Sequence, residues 1–168
     1  MRKWVISLLA LALLGGCGKW GGFSYKSDRF KFKTTFPDYW EVWDRSSDAS
    51  DFLVGTLPDA VPGGEIIVRA IPVAPDISPN EIYPSFLDGS DYGDRLEFAI
   101  EDRGTISCSN SDGRFIKYHY RKDNEKRRGM KVIFLGNRVI IEVSMEMPED
   151  AFIMHESDFT KMIHLMEL

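Results

Sequence analysis

The sequence predicts an α+β fold: a single-domain sandwich with a central antiparallel sheet flanked by helices. Three observations carry this. From residue 25 onward, turn-forming residues recur roughly every ten positions. Most of the segments between them alternate apolar and polar side chains at period two, the mark of strands with one face in a core. Two segments, one in the middle and one at the C-terminus, switch to helical signatures, an arrangement that places helices against a mainly antiparallel sheet.

The elements follow in order. Arg29 to Phe36 alternates basic or polar with aromatic residues, predicting one strand with Phe30 and Phe32 turned inward. Pro37-Asp38-Tyr39 reads as a turn into Trp40-Glu41-Val42-Trp43, and Asp51 to Leu57 as the next strand. After a break at Pro58 and Pro62-Gly63-Gly64, Glu65 to Ile71 is almost continuously apolar, as in a central strand covered on both faces. Ser78-Pro79-Asn80-Glu81 joins a capping hydroxyl, a proline at the first helical position and a glutamate three residues after the cap. A helix therefore starts there, with Ile82, Phe86 and Leu87 on its apolar side; Gly89 and Gly93 interrupt it before Arg95 to Ile100 adds a further turn or two. Thr105 to Ser109, Arg114 to Arg121, Met130 to Leu135 and Arg138 to Met145 alternate again. Their turns are predicted at Asn110 to Gly113 and, as a two-residue hairpin loop, at Gly136-Asn137. Phe159, Met162, Ile163 and Met166 then stand at i, i+3, i+4 and i+7, one stripe of an amphipathic helix that packs on the sheet.

Composition bounds the function. A chain of 168 residues supports one domain, and its 43% hydrophobic, 12% aromatic and 28% charged residues exclude a disordered protein. A domain of this size needs neither disulfide nor metal to hold its core. The net charge of −5 argues against a nucleic-acid binder, whose footprint is basic.

The first residues read as an address. Met1-Arg2-Lys3 is positive, Trp4 to Leu14 carries no charge, and Gly15-Gly16-Cys17 follows at once. Eleven helical residues span only about 16 Å, half of what a membrane crossing needs. Leu14-Gly15-Gly16-Cys17 resembles the lipobox of bacterial lipoproteins, which implies a signal peptide over 1–16 and a lipidated Cys17 beginning the mature protein. The alternative is an ordinary secretory signal with a chance cysteine. Residues 17–24, rich in glycine, form a short tether, and 25–168 the domain. Cleavage before Cys17 removes Arg2 and Lys3, so the rest keeps all 26 acids and all but two of the 21 bases, a charge of −7. Several acyl chains on Cys17 anchor the protein firmly to a membrane without spanning it. Gly18 stands where an aspartate would signal inner-membrane retention in Gram-negative lipoproteins, so the periplasmic face of the outer membrane is expected if the source is Gram-negative. Lipidation leaves Cys108 as a lone thiol, read as a small buried apolar residue and not a reactive one.

Phe30-Lys31-Phe32 leading into Phe36-Pro37-Asp38-Tyr39-Trp40-Glu41 is similar to the opening strand and turn of the Mog1/PsbP-like group, to which many DcrB-like bacterial lipoproteins belong. The capped middle helix, the Gly113 hairpin, the strands Lys131 to Leu135 and Arg138 to Met145, and the terminal helix with Phe159 and Ile163 extend the likeness over residues 25 to 168. The resemblance implies a fold and a habit of binding or organising partners. It transfers no active site.

Chemical motifs are sparse. There is no Gly-x-Ser-x-Gly nucleophile turn and no phosphate-cradling glycine loop. His119, His155 and His164 show no metal-ligand spacing. Asp88, Asp91 and Asp94 place three carboxylates on a glycine-containing loop, a weak candidate for a divalent cation that departs from the EF-hand pattern; a solvated loop explains it as well. Arg121, Lys122, Lys126, Arg127 and Arg128 make a basic hairpin tip in an acidic molecule, suited to an anionic surface or an acidic partner, with a solvated charged loop as the alternative. His119 alternates away from Tyr118 and Tyr120 with no orienting acid nearby in sequence, and is read as structural. Trp20, Phe23, Tyr39, Trp40 and Trp43 gather near the tether, where exposed aromatics suit a partner, while Trp40 belongs to the core.

The expected protein is thus a lipid-anchored, non-catalytic binding or scaffolding module for an envelope protein partner, with no cofactor beyond its covalent lipid. The alternatives are a periplasmic small-ligand or divalent-metal binder, and an envelope enzyme whose site converges only in three dimensions.

Overall fold

The computed structural model describes residues 21–57, 63–74, 77–87 and 95–168. The chain opens with a hairpin of β1 (Ser24–Ser27) and β2 (Phe32–Thr35), followed by β3 (Glu41–Asp44), β4 (Asp51–Thr56) and β5 (Glu65–Pro72). After α1 (Pro79–Leu87) come the long strands β6 (Leu96–Ser107), β7 (Asp112–Lys122), β8 (Glu125–Gly136) and β9 (Val139–Pro148), and then α2 (Glu149–His164). Strands β3 to β9 form one antiparallel sheet in the order β3-β4-β5-β9-β8-β7-β6, so the last strand returns to close the meander onto β5. This is the predicted α+β class, an antiparallel sheet with a helix on each face.

Period-two alternation sends neighbouring residues of each strand to opposite faces. On one face Val139, Ile141, Val143, Met145 and Met147 of β9 join Val132 and Phe134 of β8 and Ile66 and Val68 of β5. Helix α2 lays Phe152, Phe159, Met162 and Ile163 over them; the last three belong to the predicted stripe, whose fourth member, Met166, is buried beyond the end of the helix at His164. Each such buried side chain is worth about 1.5–3 kcal/mol in removed apolar surface, so this face holds the fold. Phe32, Phe36 and Trp40 belong to the same core, and Cys108 is buried at its margin as a small apolar residue.

Among the described residues the opposite face is only partly covered. The N–H of Ser78 reaches back to Glu81 Oε2 at 3.4 Å, as the capping motif predicts. The helix lasts nine residues, and Pro84 within it has no amide to donate. Ile82 and Phe86 pack with Ile133, Leu135 and Ile140, and among the described residues no helix covers the far half of the face.

Three local expectations are corrected. Arg29 to Phe36 is not one strand: Lys31 takes a left-handed φ of 59°, and the chain reverses between Ser27 and Phe32. The Ser27 hydroxyl accepts the Phe30 amide at 2.9 Å, a local bond that favours the turn over continued pairing. Phe32 is buried as predicted, while Phe30 packs only in part. Of the segment Arg95 to Ile100, Leu96 to Ile100 belongs to β6 and not to a helix, because pairing with β7 and packing of Phe98 and Ile100 against Tyr118 outweigh local propensity; two register shifts record the misfit. The β8–β9 loop is Asn137-Arg138, one residue later than predicted, since Gly136 already pairs with Val139 and Arg138 takes the positive φ of 62°. At Gly113 a side chain would meet the Ile133 carbonyl and the Phe134 ring, and Asp112 and Gly113 already lie in β7.

Candidate functional site

The half of the sheet that α1 leaves open is where charge converges. Cross-strand register sets it out in rows: Glu65, Glu146, Gly129 and Tyr118; then Ile67, Ser144, Lys131 and Ile116; then Arg69, Glu142 and Ile133. A cavity of about 320 Å³ opens over these rows, with Phe52 and Arg95 at its walls.

Glu146 is its fixed point. Its Oε1 accepts Arg95 Nη1 at 2.7 Å and the Tyr118 hydroxyl at 2.5 Å, and its Oε2 accepts the Tyr120 hydroxyl at 2.8 Å. Gly129 lies between Tyr118 and Glu146 in the register, and any side chain there would strike the Tyr118 ring. That glycine is what lets the tyrosine lie flat across a neighbouring strand and reach the acid. Burial on its own raises the Glu146 carboxyl, but the bonds from Arg95, Tyr118 and Tyr120 and the Arg95 charge overcome it, and its pKa is lowered. Reciprocally, burial and the Glu146 charge push Tyr120 up to about 12. Burial pulls Arg95 down, yet its hydrogen bond to Glu146 leaves it raised.

Glu65 is the counterweight. It sits directly across from Glu146, and its pKa is raised first by burial and then by the Glu146 charge. Two rows away, Glu142 is only 1% exposed; its Oε1 accepts Arg69 Nη2 at 2.6 Å, while its Oε2 is buried without a hydrogen-bond partner. Among the described residues no three His, Cys, Asp or Glu side chains form a metal-binding group; Glu146 is held by arginine and tyrosine donors and Glu142 by an arginine.

The residues singled out by sequence fall elsewhere. Cys17, Trp20 and the Asp88, Asp91 and Asp94 loop lie outside the described residues. The basic hairpin forms around the Asp123-Asn124 turn, both residues with positive φ. Arg121 pairs with Glu97 at 3.0 Å, and Arg128 pairs with Glu101 at 3.0 Å and Glu149 at 3.2 Å. Arg127 turns inward, 7% exposed, bonding Glu125 and the Gly63 carbonyl. Among the described residues, only Lys122 and Lys126 of the five stand exposed without an ion pair. His119 does have an acid beside it, contrary to the sequence expectation: Glu101, from the adjacent strand, lies 2.9 Å from its Nδ1 and is shared with Arg128. Phe23, Tyr39 and Trp43 are exposed and Trp40 is core.

The cleft left one signal in the sequence. Glu142, Ser144 and Glu146 alternate with Ile141, Val143 and Met145, a polar stripe that suggests a solvent face until β5 and β8 enclose it.

An antiparallel sheet closed by a returning strand, with a short helix over part of one face and a C-terminal helix over the other, is the Mog1/PsbP-like fold. The chain is similar to a solution structure of cyanobacterial PsbP from Synechocystis sp. PCC 6803 (TM-score 0.65, 13% identity, 92% of this chain and 98% of that one). It is also similar to LpqN of Mycobacterium tuberculosis, described as involved in cell envelope biogenesis (0.60, 18%, 87% and 90%), and to the Ran-binding protein Mog1p of Saccharomyces cerevisiae (0.52, 9%, 83% and 84%). No family model matches the chain, and no curated protein does.

Proposed function

We propose that the protein is a lipid-anchored envelope module that binds or organises another envelope protein and catalyses no reaction itself. The observation that carries this is the state of Glu146. The acid with the richest surroundings in the cleft accepts three hydrogen bonds, from Arg95, Tyr118 and Tyr120, and these lower its pKa, so its geometry is that of a structural anchor. The exposed rings of Phe23, Tyr39 and Trp43 supply the side-chain type that protein interfaces favour. LpqN, the neighbour described as taking part in cell envelope biogenesis, supports the compartment, and Mog1p supports a protein partner for this fold. Among the described residues no helix is long and apolar enough to cross a membrane; in this reading the anchor is the lipid on Cys17, on the strength of the lipobox-like Leu14-Gly15-Gly16-Cys17.

The test is in-cell crosslinking of the tagged full chain, followed by affinity purification and mass spectrometry. Native protein is compared with Cys17→Ala and with Trp43→Ala. One envelope protein enriched with the native form and reduced at least fivefold with either variant supports the reading. Equal recovery from all three forms, or no enrichment from any, overturns it.

A further inference from the structure

Beyond the charged cleft, on the other side of α1, a second pocket of about 520 Å³ lies between that helix and strands β6 and β7. Tyr83 and Pro84 of α1 form one wall; Arg103 and Gly104 of β6 and Arg114, Phe115 and Ile116 of β7 form the rest. Its volume falls within the range of small-molecule sites, about 300–1,000 Å³.

Register explains why its chemistry is one-sided. Arg103 stands across from Ile116 and Arg114 across from Thr105, so both guanidinium stems rise from the face that α1 partly covers. Ile116, fully buried, makes the floor. Arg114 donates to Thr105 Oγ1 at 3.2 Å, and its guanidinium lies 6.0 Å from the centre of the Tyr83 ring. Among the described residues neither Arg103 nor Arg114 has a carboxylate partner, and no acid lines the pocket. The neighbouring arginines differ: Arg69, Arg95, Arg121, Arg127 and Arg128 each hold a glutamate. Two uncompensated guanidinium groups over an apolar floor, in a chain of net charge −5, are complementary to one kind of molecule.

We propose that this pocket binds a small organic anion, with its carboxylate or phosphate monoester on Arg103 and Arg114 and its apolar body against Tyr83 and Ile116. Guanidinium forks recognise both head groups through paired N–H donors, and burial of the apolar body adds affinity that inorganic anions lack. The proposal is independent of the protein partner above, since it concerns a different surface and a different class of ligand.

Ligand-observed NMR titration of the full chain in lipid nanodiscs tests it, with 4-phenylbutyrate and phenyl phosphate as probes. Neutral 4-phenylbutanamide and inorganic phosphate are the controls. At least one organic anion is expected to bind at least tenfold more tightly than either control, and the order of the two anions identifies the preferred head group. Arg103→Gln with Arg114→Gln is expected to weaken that anion at least tenfold, and Arg103→Gln alone at least threefold. Both side chains are exposed, so circular dichroism of the variants is expected to match the native chain. Lys126→Gln, at the hairpin turn, is expected to leave binding unchanged. Failure of both anions to bind, equal binding of the amide or of inorganic phosphate, an unaffected Arg103→Gln variant, or an equal loss in Lys126→Gln would each overturn the proposal.

Discussion

The two faces of the sheet are built by the same strands and obey opposite rules. Odd-numbered residues of β9, from Val139 to Met147, enter a dry core under α2; the even-numbered Glu142, Ser144 and Glu146 enter a network of charge that α1 does not cover. An apolar contact is gained merely by excluding water, whereas a buried carboxylate is tolerable only where donors are aimed at it. Stability is therefore expected to depend on volume on one face and on pairing on the other.

The largest effect tests the apolar face. Phe159→Ala empties a fully buried position under the sheet and is expected to cost about 3–5 kcal/mol in urea unfolding. A loss below about 1 kcal/mol would mean that α2 is dispensable.

On the charged face, the Arg69–Glu142 pair should respond unequally to removal of its two members. Arg69 is 44% exposed in its side chain and rehydrates when freed, but Glu142 does not. Arg69→Ala is therefore expected to cost about 3 kcal/mol and Glu142→Leu about 1 kcal/mol or less. Equal losses would show that the pair contributes as a simple surface ion pair.

Glu146 and Glu65 sharpen the comparison through pH. Glu146 has a lowered pKa in the folded chain, so its stabilisation is complete above the unfolded carboxyl's value and disappears as pH falls through the folded one. Glu146→Gln is expected to cost about 2 kcal/mol at pH 7 and progressively less in acid. Glu65 runs the other way. Its raised pKa means that the folded chain holds the proton more tightly, so stability falls as pH rises from the unfolded value through the folded value. Glu65→Gln is expected to add about 0.5 kcal/mol at neutral pH, by removing the like charge across from Glu146, and to add nothing in acid. Unfolding midpoints of both variants between pH 3 and 8 check the pair; parallel pH curves would refute the opposition.

How far the sequence revealed each face follows from the same difference. The stripe Phe159, Met162, Ile163 and Met166 announced a buried helix face; all four are buried, the first three on α2 and Met166 just past its end. The capping motif at Ser78 likewise placed the start of α1, because its partners are only three residues apart. Where a local preference met a distant partner, the distant partner prevailed: Leu96 to Ile100 became strand through β7, and the loop after β8 moved one residue. The cleft depends still more on distance. Arg95 and Glu146 are 51 positions apart, Arg69 and Glu142 are 73 apart, and Glu101 reaches His119 only because β6 folds back beside β7.

By itself the sequence determined the alternation of the strands, the apolar stripe of α2 and the caps and turns, since these follow from neighbours a few residues apart. The tertiary structure alone decided which polar stripe meets water and which becomes a network. A carboxylate carries the same charge in either place, and its environment is set by the donors that other strands bring to it.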